Sequence, residues 1–380
     1  MLAHRLLDDE VSHMSYRSID AIQEALSSTV FSKKDDARKA AGRALGTLLE
    51  LIGFYLLNDA GLVTNMAIER PLAEYANSEI THNVEFSLHK SKLIGHLSLC
   101  EPGVNSITPK RILRELGISH DSQCKIKSYN PYASGIVRNA STVLESRERF
   151  INAYCNINKK EVDVYELKID PVAMVECKRV GVEKGMNKGP QTIEKAKQAA
   201  YVSRSVSRLQ RFRGSDGSIL GVIENPSGEL VSGPYEKMLK DIVARGTVDE
   251  KRGVVLTIGI VSDHGNWYSS SRMNKELKVL SQSYDWLLFL TDAGFTQFIN
   301  ETLFSEDLAT TPIREAFFNC YGGVKKGSRF TKVMLPADAD LALREYFATR
   351  REEIRSWFNV LTPTDGTFEE LFAELRLLVN

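Results

Sequence analysis

The chain has 380 residues, with 49 Lys+Arg against 49 Asp+Glu, so its formal net charge is zero. Apolar residues make up 43% and charged residues 26%, a globular composition that excludes the disordered and fibrous classes and, at roughly 100–200 residues per domain, allows about two to three domains. Neutrality would argue against a nucleic-acid binder only if the charges were evenly spread.

Residues 16–29 and 36–58 read as amphipathic helices, the second stopping before Ala60-Gly61. Residues 82–100 alternate as a strand does. Thr108-Pro109 opens a short helix, Lys110–Leu116, that ends at Gly117. It looks like the start of a helix-turn-helix, but no recognition helix follows, which leaves Lys110, Arg111 and Arg114 as phosphate contacts at most. The pattern predicts a helix over Ala140–Asn156. Two strands, Val162–Ile169 and Val172–Val180, follow and are separated by Asp170-Pro171. A helix is expected over Thr192–Arg213, strands over Gly253–Val261 and Trp286–Thr291 with a helix at Asn274–Gln282 between them, and a helix over Phe295–Leu303. From Leu335 onward the chain reads as mainly helical, with Leu343, Phe347, Ile354, Phe358 and Leu361 on one apolar stripe. Strands alternating with helices predict an α/β fold, a mixed sheet flanked by helices. In chain order this gives an N-terminal helical and mixed region (1–135) suited to DNA recognition, a core (136–305), and a C-terminal helical region (306–380) suited to dimerisation.

Several classes are excluded by what the sequence lacks. The cysteines (Cys100, Cys124, Cys155, Cys177 and Cys320) are odd in number and never spaced C-x-x-C, which argues against a disulfide framework or a four-cysteine zinc site. His82, His89, His96 and Cys100 have the residue types of a zinc site but not its spacing. The opening residues carry Asp8, Asp9 and Glu10 where a signal peptide needs an apolar run. The apolar stretch Leu48–Leu57 is interrupted by Glu50 and falls short of the ~20 residues of a membrane span. A cytoplasmic protein with no membrane partner is the expectation. Neither G-x-G-x-x-G nor a P-loop occurs, so no nucleotide cofactor is expected.

Chemistry concentrates between Glu161 and Arg213. With a two-residue hairpin at Asp170-Pro171, opposed positions sum to 341, so Asp163 faces Lys178 and lies diagonal to Glu176 on the same face. Two carboxylates at roughly 7–8 Å between Cα atoms suit Mg²⁺, and a lysine beside them can hold or activate an attacking water. A loop one residue longer would remove Asp163 from that face and leave Asp170 as the first carboxylate. The bland alternative is a cross-strand ion pair between Asp163 and Lys178. The E-x-K pattern also occurs at Glu166, Glu276 and Asp249-Glu250-Lys251, but only Glu176 follows an apolar strand with an acid within reach upstream.

Between Lys178 and Arg213 lie ten Lys/Arg and two acids, a local charge of +8. Lys197, Arg204, Arg208 and Arg211 would form one stripe of the expected helix, with Lys184 and Lys188 in the glycine-containing loop before it. Basic groups so placed would neutralise a phosphodiester backbone. Residues 338–380 hold nine acids against five bases, which hides this segment in the neutral total.

Val162-Asp163, the intervening turn, Val175-Glu176-Cys177-Lys178 and the basic segment together resemble the PD-(D/E)XK nuclease superfamily, most of all a Type II restriction endonuclease. The resemblance covers roughly residues 140–300. It implies that Asp163, Glu176 and the Cys177 backbone carbonyl bind Mg²⁺ and that Lys178 positions the water. It also implies a supporting acid from an upstream helix, for which Glu145 is preferred on proximity, Glu50 is almost as good and Glu148 is a third candidate. The partner so implied is double-stranded DNA, cut by a homodimer if the recognition site is palindromic; the alternatives are a DNA-binding or scaffold protein without catalysis and a repair or structure-specific nuclease with the same core.

Overall fold

The structure is a computed structural model that describes residues 15–70, 84–99, 105–180, 191–225, 227–262, 268–269, 272–273, 275–321 and 329–380. Helix α1 spans Ile19–Ser28, started by the Ser18 hydroxyl accepting from the Ala21 N–H. Helix α2 spans Ala37–Asp59; the Asp36 carboxylate caps it by accepting from the Lys39 N–H. Gly61, at φ +81°, turns the chain away after α2, a left-handed conformation that glycine adopts without a Cβ clash. By length and composition α2 could cross a membrane, but two thirds of its apolar window (67%) is buried inside this protein.

Strand β1 (Met66–Ile68) pairs antiparallel with the long β2 (Phe86–Ser98). The short helix α3 (Pro109–Glu115) is capped by Thr108, as the Thr-Pro signal predicted. Strands β3 (Ser141–Glu145) and β4 (Phe150–Asn156) occupy the stretch expected as the helix Ala140–Asn156. Helix periodicity misled here. Val143, Leu144, Ile151, Ala153 and Cys155 are buried in a β-sheet core instead.

The largest correction concerns residues 161–179. They form one continuous strand, β5 (Glu161–Arg179), with no hairpin at Asp170-Pro171. β2 runs antiparallel beside both halves of β5. On the other side, β4 pairs with Glu161 to Leu167 and strand β6 (Leu256–Ser262) pairs in parallel with Ala173 to Arg179. Asp170-Pro171 falls between those two partners, and the β2 register is itself irregular beside Pro171. The missing proline N–H is therefore not needed for a ladder bond, and the pre-proline preference for extended backbone keeps the strand straight through the dipeptide.

Between β5 and β6 the chain crosses over through helix α4 (Gln191–Val206). This helix stops short of the expected Arg213. Gln210–Arg213 is a strand in a separate three-stranded sheet with residues 219–224 and 230–234. Strands β7 (Trp286–Leu290), parallel to β6, and β8 (Phe358–Thr362), antiparallel to β7, complete the main sheet on that side. The result is a mixed sheet with helices on its faces. Phe358 and Leu361 thus lie in an edge strand, not on the helical stripe expected for the C-terminal region.

One core runs from Ile19 to Val379 and includes α2, the C-terminal half of β5, and the helices Ala337–Thr349 and Phe368–Val379. The C-terminal apolar residues Leu343, Phe347 and Ile354 are buried in it. A buried network fastens this region to α2. Tyr55 donates to Asp340 at 2.7 Å, and Arg344 binds Asp340 at 2.7 Å and Asn58 at 2.8 Å. A second, smaller core under the far ends of β2 and β5 joins Leu97, Ile112, Val143, Ile151 and Val162.

Candidate active site

Asp163 and Glu176 do not converge. Thirteen residues of one strand separate them, on the order of 40 Å at about 3.3 Å per residue. Asp163 pairs across to Tyr154 and His96. Its pKa is raised, first by burial and then by Glu161, which together outweigh the opposing effect of Lys159 and His96. Asp170, the fallback carboxylate, sits at the partner switch six residues from Glu176. Glu145, preferred as the supporting acid, lies on β3 and pairs with Lys127 at 2.7 Å and Arg70 at 3.7 Å. Strand β4 lies between it and Leu167 on β5. Glu148 is exposed in the turn before β4.

Glu176 and Lys178 do come together, as an ion pair on one face of β5. Between them Cys177 projects to the other face, against α2. A Cβ on Gly53 would lie 2.6 Å from the Cys177 sulfur, so glycine is what lets the helix approach the strand this closely. That approach brings Glu50, one turn before Gly53, near the pair. Burial pushes the Cys177 thiol well up, and the Glu50 and Glu176 carboxylates add to it. Lys178 is also affected by both acids: burial alone would lower its pKa, yet Glu176 and Glu50 outweigh it and the net shift is upward. Lys178 therefore stays protonated at neutral pH and is suited to hold and polarise an oxygen, not to accept a proton.

The second strand acid is Glu85, which sequence reasoning missed. It immediately precedes β2, and the pairing of Phe86 with Val175 sets it beside Glu176. The Glu85 N–H donates to Glu176 Oε2 at 3.3 Å. Both carboxylates are buried, at 8% and 7% side-chain exposure. The signal that could have found Glu85 is an acid near the start of the alternating segment 82–100. Two further participants carried no signal in the sequence. Lys332 lies 2.9 Å from Glu50 Oε2 and 2.9 Å from Glu69 Oε1, and it pairs with Glu85 Oε1.

Among the described residues, no three His, Cys, Asp or Glu side chains already stand as a coordination shell. Glu50, Glu85 and Glu176 offer carboxylate oxygens, the donors that Mg²⁺ prefers. Of the six ionised side chains, four are acids (Glu50, Glu69, Glu85, Glu176) and two are ammonium groups (Lys178, Lys332), a deficit of two positive charges.

The basic stripe expected on one helix does not form, because α4 ends at Val206 and Arg208 and Arg211 lie beyond it. Arg208 donates to the carbonyls of Glu224, Arg252 and Asp249 at 2.8–3.2 Å. Arg211 stacks over Tyr235, 4.8 Å from the ring centre. Arg204 donates to the carbonyls of Gln282 and Ser283, and Lys197 lies over the Tyr201 ring. These groups hold the crossover in place. Lys184 and Lys188 lie outside the described residues, as do His82 and Cys100. His89 is buried and bonds to Ser87 and Lys168. A second basic patch lies on α3, where Lys110, Arg114 and His120 line a cavity of 290 Å³ with Leu113, Ile118 and Ile126.

Comparison with protein-family models, with curated proteins and with solved structures gives no match. The functional reading therefore rests on the site's own geometry.

Proposed function

We propose that this chain is a divalent-metal-dependent DNA endonuclease of the PD-(D/E)XK type, with Glu50, Glu85, Glu176 and Lys178 as its working residues. The observation that carries the reading is the pairing of Glu85 with Glu176 across adjacent strands, with Lys178 two residues on. The order of elements supports it: helix α2 bearing Glu50, strands β1 and β2 with Glu85 at the head of β2, strand β5 with Glu176, crossover helix α4, and parallel strand β6. Compared with the sequence-derived assignment, Glu85 replaces Asp163 and Glu50 replaces Glu145.

Glu50, Glu85 and Glu176 would hold Mg²⁺, which when bound supplies a Lewis acid for the phosphate and an acidified water. The Glu85 amide fixes the orientation of Glu176. Lys178, kept charged by Glu176 and Glu50, donates hydrogen bonds to a water or a phosphate oxygen at the exposed side of the site. Restriction-type, sequence-specific cleavage of duplex DNA by a homodimer is the form we favour.

Plasmid and linear duplex DNA incubated with the protein and Mg²⁺ should be cut, and EDTA should stop the reaction. Glu85→Gln should lower the cleavage rate by about 100-fold or more with the fold intact by circular dichroism. Undiminished cutting by Glu85→Gln would overturn this assignment. No metal-dependent cleavage of duplex, branched or single-stranded DNA would overturn the function.

A further inference from the structure

The cavity beside α3 has an apolar floor of Leu113, Ile118 and Ile126 and a rim of Lys110, Arg114 and His120. Its walls are fixed. The Ile118 N–H donates to the Leu113 carbonyl at 2.8 Å, Arg149 donates to the Ser119 carbonyl at 2.9 Å, and residues 125–126 pair with Glu145 and Leu144 of β3. The rim groups differ from the arginines after α4, which carbonyls and a ring take up. The Arg114 side chain is 76% exposed and lies 3.4 Å from Glu115, an acid that Arg111 already holds at 2.6 Å. Lys110 and His120 are exposed, and neither has a side-chain partner among the described residues. The acid after His120, Asp121, accepts instead from the N–H groups of Gln123 and Cys124 at 2.9 and 3.2 Å. Basic groups continue outside the cavity. Lys125 is exposed beside Ile126, and Arg138 is held 4.4 Å over the exposed Tyr129 ring. Residues 105–150 hold eight Lys/Arg against four Asp/Glu, a local excess of +4.

We infer that this cavity seats one sugar–phosphate unit of a DNA strand, with the phosphate among Lys110, Arg114 and His120 and the deoxyribose on Leu113, Ile118 and Ile126. The inference rests on the DNA reading of the chain and goes beyond its cutting site. Three nitrogen-bearing side chains meet at one opening whose lining includes no acid, which calls for an anion. The aliphatic floor calls for more than a bare anion, since a sugar has apolar carbons to bury and inorganic phosphate has none. Lys125 and Arg138 outside the cavity favour a polymer, whose next phosphates they can meet, over a free nucleotide. The cavity also lies at a useful distance. Through β3 and β4, residues 125–126 stand level with Leu167 of β5, nine residues before Glu176. That is about 30 Å at ~3.3 Å per residue, close to one turn of duplex DNA. An anchor there fixes where the duplex lies relative to the cutting carboxylates without reading a base.

The test measures binding of a duplex of about 24 base pairs, roughly two turns, by fluorescence anisotropy in EDTA across a salt series. The full chain carries Glu176→Gln throughout, so that no cutting intervenes. Adding Lys110→Ser/Arg114→Ser should weaken binding about tenfold and reduce the slope of log affinity against log salt by about 1, as loss of one phosphate contact does. Adding Ile126→Trp instead fills the cavity and leaves the charges. It should weaken binding about tenfold, as overpacking does, with the slope unchanged. An unmoved slope in the first variant, or unmoved affinity in the second, would overturn the inference. So would competition by poly-glutamate as strong as by DNA of equal charge, which would assign the face to an acidic polypeptide. Failure of the nuclease reading is seen separately. If binding depends on the cavity while the wild-type chain with Mg²⁺ cuts no DNA, this inference stands and the cutting falls. If the wild-type chain cuts and neither variant alters binding, the function stands and this inference falls.

Discussion

The two ends of β5 carry the same kinds of residue to different ends. At the C-terminal end, Glu176 and Lys178 lie between β2 and the parallel strand β6, beneath a helix brought close by Gly53. Four acids and two lysines meet there. At the N-terminal end, Asp163 lies between β2 and β4 in an antiparallel sheet covering the smaller core. Burial and then Glu161 raise its pKa. An acid on a strand is therefore not by itself a site. What distinguishes the two ends is a change of neighbour. Where β6 replaces β4 and β2 begins, acids from separate parts of the chain can approach one another.

The contrast is broken most directly at the two acids. Glu176→Gln should reduce Mg²⁺-dependent cleavage by about 1,000-fold or more, whereas Asp163→Asn should leave it within about twofold. Equal losses in kinetic assays of both variants would return Asp163 to the site and refute the separation of the two ends.

The junction between the ends offers a pH test. His89 is buried on β2 beside Pro171, and its pKa is lowered to about 3, chiefly by burial and then by Arg70. Since a carbonyl can only accept, the His89 Nδ1–H donates to Lys168 O at 2.9 Å, and Nε2 accepts from the Ser87 hydroxyl at 2.8 Å. The neutral ring is built into the irregular pairing beside Pro171. In the unfolded chain the imidazole takes up a proton below about pH 6.5, while in the folded chain it resists until about 3. The stability that His89 contributes is thus complete above pH 6.5 and declines as pH falls toward 3. Urea unfolding should show about 2–3 kcal/mol lost from this group between pH 7 and 4.5. His89→Gln should flatten that part of the profile, and an unchanged slope in the variant would show that His89 does not control it.

The smallest effect is expected at the helix contact. Gly53→Ala places a Cβ against the Cys177 sulfur and should cost about 1–3 kcal/mol of stability by urea unfolding, as overpacking does. Cys177→Ala in the same chain should recover part of the loss by making room. A neutral Gly53→Ala would mean that close packing of α2 on β5 is not what sets Glu50 in place.

Local features of the sequence were legible where one segment decided its own structure. The caps at Asp36 and Thr108 and the turns at Gly61 and Gly117 bounded helices near the expected residues. The apolar runs at 256–262 and 286–290 formed the expected strands. The Glu176–Lys178 spacing did bring an acid and an amine to one face. The errors were failures of context. Asp170-Pro171 has turn composition, but two strands that arrive from elsewhere leave a gap that accommodates it. Arg204, Arg208 and Arg211 supply charge, but carbonyls and a ring of neighbouring elements claim their guanidinium groups.

By itself the sequence determined the mixed α/β class, the ends of α2 and α3 and the Glu176–Lys178 pair, because periodicity, capping and side-chain alternation act over a few residues. Only the tertiary structure decided which acids join that pair. Glu85 is placed by strand register, Glu50 by the close approach at Gly53, and Lys332 by the Asn139 side-chain amide, which donates to its carbonyl. Each depends on contacts between distant parts of the chain, which no spacing along one segment encodes.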